Sequence, residues 1–316
     1  MGVRGRGLPT PALAALTAGG LAVALGLLLW QVLSAHAGGA FAGLFRTVGV
    51  VTLLAGVALA ATGLGMEVFR PVRERQAAAG FGSHRVLLTT TAFAVLLAVL
   101  VSNVVPPFVV GLIGQRNLHN VPGFLSATAS VDCVLLAVVY FRFIRPGVVS
   151  PEDFGFGRNR LAASFFDQVW LADLVMGLGG GLLVMLLSGA IQALLRQAGV
   201  QQTQLQEFTW VRDLSPGGFA LVLLAGGLAA PLAEEIFFRG IVFRAYLLSK
   251  GPPVAYLMSS LVFALLHLNG PALLPILVLG TVLAWLYRSS GSLTPGVIAH
   301  GFNNGVALIV LYTQGI

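Results

Sequence analysis

Charged side chains make up only 9% of this 316-residue chain, while 57% of its residues are hydrophobic and the mean hydropathy is +0.91. A soluble domain of that composition would expose large apolar patches, so the soluble class is excluded and the chain reads as an all-α, polytopic membrane protein. Cysteine is almost absent. With Cys133 alone, no internal disulfide can form, and the sequence says nothing about an oxidising compartment. Lysine is almost absent too: Lys250 stands against seventeen arginines, beside much Ala and Gly, a bias resembling that of a GC-rich bacterium. The net charge of +7 does not point to nucleic acid, because the basic residues fall in short clusters beside apolar runs, and no nucleic-acid partner is expected. No His-Glu pair occurs, which excludes an HExxH zincin. The GLGGG run at Gly177 to Gly181 lacks a following Lys-Ser/Thr and reads as a close helix contact, not a phosphate loop.

Long apolar runs, by contrast, are present in quantity. At about 20 residues per crossing, nine spans are expected, near Ala12–Leu33, Thr47–Met66, Val86–Val105, Phe124–Phe143, Val169–Leu195, Phe219–Leu248, Val254–Leu268, Leu273–Tyr287 and Leu293–Tyr312. The first is too long for a signal-peptide core and is expected to be retained. Pro106 and Pro107 are expected to stop the third span, and Pro231 to bend the sixth. With the N-terminus cytoplasmic, thirteen basic residues fall inside (Arg4, Arg6, Arg70, Arg73, Arg75, Arg85, Arg142, Arg145, Arg158, Arg160, Arg244, Lys250, Arg288) and four outside (Arg46, Arg116, Arg196, Arg212). That asymmetry obeys the positive-inside rule and puts the chain in the cell membrane. The expected organisation is a four-helix membrane region over 1–145, a cytoplasmic loop over 146–164, and a C-terminal membrane domain over 165–316 that carries almost every unusual polar residue.

The sixth span sets Glu234 and Glu235 side by side in the run PLAEEIFFRGIVFR. Each acid at mid-membrane costs about 2.5 to 3.5 kcal/mol, so both need a reason to be there. Arg239, four residues after Glu235, shares its helix face and can pair with it. Glu234, rotated about 100° away, has no partner in its own helix. Phe263 and His267 stand four apart in the seventh span, His300 and Asn304 four apart in the ninth. Mutual satisfaction around a hydrated cavity is the cheapest arrangement for such groups.

That set supports two versions of peptide hydrolysis. In one, Glu234 takes a proton from water, His267 positions or shares that proton, and His300 and Asn304 hold the oxyanion. In the other, a divalent metal such as zinc sits among Glu234, His267 and His300 and acidifies the water. Spacing does not choose between them.

Glu-Glu-x-x-x-Arg at Glu234, Glu235 and Arg239, then Phe-x-x-x-His at Phe263 and His267, then His-x-x-x-Asn at His300 and Asn304, resembles the three-motif signature of the CPBP family of intramembrane proteases, the CAAX protease and bacteriocin-processing family. The resemblance covers roughly Phe165 to the C-terminus. It implies that Glu234 is the catalytic acid/base, that Glu235 and Arg239 support it, and that His267, His300 and Asn304 line the site. It also implies a membrane-associated protein or peptide as substrate. Some bacterial members are linked to bacteriocin immunity or to scaffolding.

Each feature also has a plainer reading. The acids with Arg239 are then a buried ion cluster that fixes packing, His267 a hydrogen-bonded core histidine, His300 with Asn304 interhelical glue, and Phe263 packing. Asp173, near a helix end, is expected to reach water. Asp132, deep in the fourth span, has no assigned role. A proton-coupled transporter would carry polar groups in two related halves, and here only the C-terminal part is polar. A rhomboid-type serine protease needs a Gly-x-Ser and a further histidine after His300, and neither occurs there. A non-catalytic membrane scaffold is the remaining rival.

Overall fold

The computed structural model describes residues 84–314 apart from 116, 161–167, 201–206, 268 and 270, with a few isolated residues before 84. The first two expected spans lie outside the described residues. The chain divides into two compact units, Met1–Val101 and Ser102–Ile316, and the three polar motifs all fall in the second.

The described residues are helical, without strands. Seven helices run in order: α1 (His84–Leu112), α2 (Val121–Ile144), α3 (Val169–Gln197), α4 (Pro216–Lys250), α5 (Pro252–Leu266), α6 (Leu273–Ser290) and α7 (Thr294–Gln314). Six are long and apolar enough to cross a membrane, and α5, at 15 residues, is shorter. This makes a multi-pass membrane protein. On α3, Leu186 and Leu194 are each 65% exposed, which hydrocarbon tolerates and water does not.

One expectation about proline needs correction. Pro106 and Pro107 do not stop α1, which runs through both to Leu112. In an apolar solvent the remaining backbone groups have no better partner than the helix itself. Around Pro231 the chain stays helical. The helix widens, with π turns at Ala225–Ala229 and Ile236–Phe243 on either side of the α-helical Ala230–Glu235, so Pro231 opens a fresh α segment, where its missing N–H costs least.

The glycine run on α3 does what its spacing suggests. A methyl built at Gly177 would lie 2.5 Å from Ile298, at Gly180 2.7 Å from Leu286, and at Gly181 2.6 Å from Phe302, so bare backbone lets α6 and α7 close on α3. At one end of the bundle Val211, Val222 and Leu308 form a buried cluster faced by Phe124, Trp210 and Phe219. The Phe219 and Tyr312 rings stack there at 4.0 Å.

The connection after α2 is structured. Ser150 and Asp153 form a reciprocal cap on the short 3₁₀ turn Pro151–Phe154. Phe154, 4% exposed, seats against Gly240 of α4, where a methyl would come within 2.7 Å of its ring. The Leu293 N–H donates to the Phe154 carbonyl at 3.2 Å and the Arg160 N–H to that of Ser290 at 2.7 Å. Gly155, at φ 71°, adopts the left-handed turn that ends this strap, and its close approach to the Gly291 carbonyl leaves no room for a side chain.

Candidate active site

The polar groups of α4 are set by its wide turns. Glu235 closes the α-helical turn and Arg239 lies inside the π segment, where every residue from Phe237 to Phe243 is buried. The expected pair forms: Arg239 Nη1 donates to Glu235 Oε1 at 2.6 Å, with both side chains fully buried. The other guanidinium arm donates to the Gly280 carbonyl of α6 at 3.0 Å. Gly280 is itself packed tightly on α5, since a methyl there would lie 3.0 Å from the Ser260 Cα. The guanidinium carbon stands 4.5 Å over the Phe263 ring, a cation–π contact strengthened by the absence of water.

Phe263 is therefore more than filler. Its ring meets the edges of both histidines, His267 at 5.0 Å and His300 at 5.5 Å, and that of Phe238 at 5.2 Å. One aromatic side chain thus spaces the cation from the two imidazoles.

The imidazole facing the glutamates is that of His300, 2% exposed on α7. Its Nε2 lies 3.8 Å from Glu234 Oε2 and its Nδ1 3.5 Å from Glu235 Oε1. Neither contact has hydrogen-bond geometry. Glu234 Oε2, Glu235 Oε2 and His300 Nδ1 are all buried without a hydrogen-bond partner among the described residues. Loose contacts of this kind are common in substrate-free catalytic sites and tighten in the complex.

His267 and Asn304 stand differently. His267 caps the C-terminal end of α5, and its Nδ1 is bonded to the Phe263 carbonyl at 2.9 Å. It meets the cluster through Phe263 and forms no ion pair with either glutamate. Asn304 donates from Nδ2 to the Gly226 carbonyl at 3.0 Å, bracing α7 against the first π turn of α4. Nearby, a methyl at Gly301 would lie 2.4 Å from the Gly227 carbonyl oxygen. Among the described residues no three His, Cys, Asp or Glu side chains gather closely enough to hold a metal ion. Glu234, His267 and His300 are therefore not drawn together as a ligand set here.

Asp173 is corrected outright. It does not reach water: it is 2% exposed and accepts from Asn159 Nδ2 at 2.8 Å, a partner delivered by the strap. At the edge of the bundle Arg244 pairs with Asp153 at 2.9 Å. The Asp153 carboxyl is held below the usual range, first by the Ser150 backbone N–H and then by Arg244. Sequence reasoning missed the strap, the carbonyls of Gly226 and Gly280, and the closeness of Gly296, where a methyl would lie 3.0 Å from Glu235 Oε2. Small residues in helices that also carry charge were the available signal.

Fold and site together define a multi-pass helical membrane protein whose buried acids, arginine and histidine meet across α4 and α7, with Phe263 of α5 packed against them. Residues 216–306 match the family described as type II CAAX prenyl endopeptidase Rce1-like. That segment contains all three motifs and is consistent with the CPBP resemblance. Comparison with curated proteins and with solved structures gives no match.

Proposed function

We propose that this chain is an intramembrane endopeptidase that hydrolyses a peptide bond of a membrane-associated protein or peptide. Glu234 acts as general base. The observation that carries the reading is the 3.8 Å approach of His300 Nε2 to Glu234 Oε2, with the neighbouring Glu235 already neutralised by Arg239. Glu234 takes a proton from water as the oxygen attacks the carbonyl carbon, then returns it to the leaving nitrogen as the C–N bond breaks. His300 orients the Glu234 carboxylate and supports the oxyanion as negative charge develops, while Glu235 and Arg239 fix the turn from which Glu234 projects. Asn304 contributes by holding α7 in register, with its second amide proton free to face the oxyanion. His267 lines the site from the far side of Phe263.

In this reading nine spans with a cytoplasmic N-terminus place the chain in the plasma membrane of a bacterium, with 1–145 as a separate helical region, 146–164 as a cytoplasmic loop and 165–316 as the catalytic domain. At 15 residues and about 1.5 Å per residue, α5 covers roughly 22 Å of a core about 30 Å thick. Its C-terminal His267 then lies below the membrane surface, at the depth an intramembrane site needs.

The test is cleavage of a farnesylated peptide ending in a CAAX sequence by the purified full chain in detergent. The Glu234→Gln variant is expected to lose about 10² to 10⁴ in kcat, the usual contribution of a positioned base. Cleavage by the variant at the wild-type rate overturns the reading. Loss of turnover on chelation with recovery on added zinc would assign Glu234, His267 and His300 to a metal, which would then acidify the water. If neither protein cleaves and Glu234→Gln leaves the cellular phenotype intact, the chain is a non-catalytic scaffold or immunity protein that binds another membrane protein.

A further inference from the structure

Asp132 lies on α2, outside the segment matched to the family. Helix α2 packs against the Ala230–Glu235 turn of α4 and against both of its π segments. Leu135 and Val139 come three and seven residues after Asp132 and so share its face. They are 0% and 1% exposed, so this face is turned into the bundle. Asp132 Oδ1 is sealed from solvent and has no hydrogen-bond partner among the described residues, and the same holds for Glu234 Oε2. Glu234 stands on the Ala230–Glu235 turn against which α2 packs. From α7 comes the almost fully buried His300, with its Nδ1 also unpartnered and its Nε2 3.8 Å from Glu234 Oε2.

Two buried acids within range of each other repel, and each is costly in an apolar interior. Ionised carboxylates only accept hydrogen bonds, so they cannot satisfy one another. A small molecule with two donor protons satisfies both at once, and water is that molecule. The function proposed above requires a water at this place. Resting on that reading, we propose that Asp132 is a further catalytic residue that holds the attacking water jointly with Glu234.

One water proton is donated to Glu234 and the other to Asp132, which leaves a lone pair directed at the substrate carbonyl. On attack the O–C bond forms, the carbonyl π pair moves to oxygen, and Glu234 receives the first proton. Asp132 keeps its hydrogen bond to the new hydroxyl and takes no proton. The tetrahedral species then expels the amine, which leaves with the proton from Glu234. Asp132 thus supplies orientation, which a uniform binding contact would not.

The experiment uses the full chain with the farnesylated CAAX peptide as probe and two variants. Asp132→Leu removes the acceptor and is expected to lower kcat at least about tenfold with KM within about twofold of wild type. Asp132→Asn retains an acceptor oxygen at the same place and is expected to recover most of that loss. Wild-type turnover in Asp132→Leu, or equal losses in both variants with KM rising in parallel, overturns the proposal. An experimental structure of the full chain that resolves ordered water gives a second readout independent of turnover and of the variants' folding. It is expected to show one water within hydrogen-bond distance of both Asp132 Oδ1 and the Glu234 carboxylate. A protein donor on Asp132 instead, or no shared water, overturns it. A wild-type protein that leaves the probe intact while holding that water would sink the protease reading and leave the shared site standing.

Discussion

Two arginines five residues apart on α4 each pair with a carboxylate, and the pairs differ in almost everything else. Arg239 and Glu235 are fully buried, joined at 2.6 Å, and delivered together by one helix. Arg244 and Asp153 are joined at 2.9 Å with side chains 26% and 36% exposed, and come from segments 91 residues apart. The difference teaches where charge is structural in an apolar medium. A buried partner left alone keeps its full desolvation cost, whereas an exposed one returns to water. Arg239→Ala, which strands Glu235, is therefore expected to lower stability by about 3 to 5 kcal/mol, the largest effect in this comparison, read from the SDS unfolding midpoint in mixed micelles. The pair Glu235→Leu with Arg239→Met, which removes both charges at similar volume, is expected to restore most of that stability without restoring cleavage. A double variant as unstable as the single one would mean that the guanidinium acts mainly through its Gly280 and Phe263 contacts.

The same contrast recurs along α7, between a neighbour that cannot move and one that can. Gly301 faces the backbone carbonyl of Gly227, and Gly296 faces the end of the Glu235 side chain. Gly301→Ala must push two helices apart and is expected to lower stability by about 1 to 3 kcal/mol. Gly296→Ala moves only a carboxylate, so its expected effect is a smaller stability loss with a larger fall in kcat. Thermal unfolding and turnover measured on the same preparations separate the two. Equal stability losses would show that the Glu235 side chain is as rigid as backbone.

Much of this is legible in the sequence because it is periodic. The helix order from α1 to α7, the Glu235–Arg239 pair, the Phe263–His267 contact and the glycine face of α3 all come from three- and four-residue spacing, which is local information. The matched residues 216–306 likewise contain all three motifs. Spacing does not carry which helix face meets which. The histidine against Glu234 is on α7 and not α5, Asn304 meets the Gly226 carbonyl, and Asp173 is satisfied by Asn159 from a segment that reads as a plain loop. The π turns of α4 are invisible for the same reason: a turn widens in response to its neighbours, and every residue from Phe237 to Phe243 is buried. The proline rule fails at Pro106 and Pro107 because it comes from water, where a broken helix can be solvated.

The weaker pair supplies the finest test, since salt should act on it and leave its buried counterpart alone. Asp153→Asn keeps an acceptor for the Ser150 N–H and removes only the charge opposite Arg244, so the expected loss is small, up to about 1 kcal/mol at neutral pH and low salt. The Asp153 carboxyl is depressed from 3.8 in the folded chain by the Ser150 N–H and then by Arg244. A depressed acid stabilises above its unfolded value, and that contribution drains away as pH falls through the folded one. The gap between wild type and Asp153→Asn should thus hold steady from neutral pH to about pH 5 and close below 3.8. At 1 M salt, where screening acts within about 3 Å, it should shrink at every pH. The Arg239→Ala loss should show no such salt dependence, because that pair is fully buried. If the two losses respond alike to salt, water penetrates α4 to the depth of Arg239, and the division between a buried structural pair and an exposed pinning pair fails.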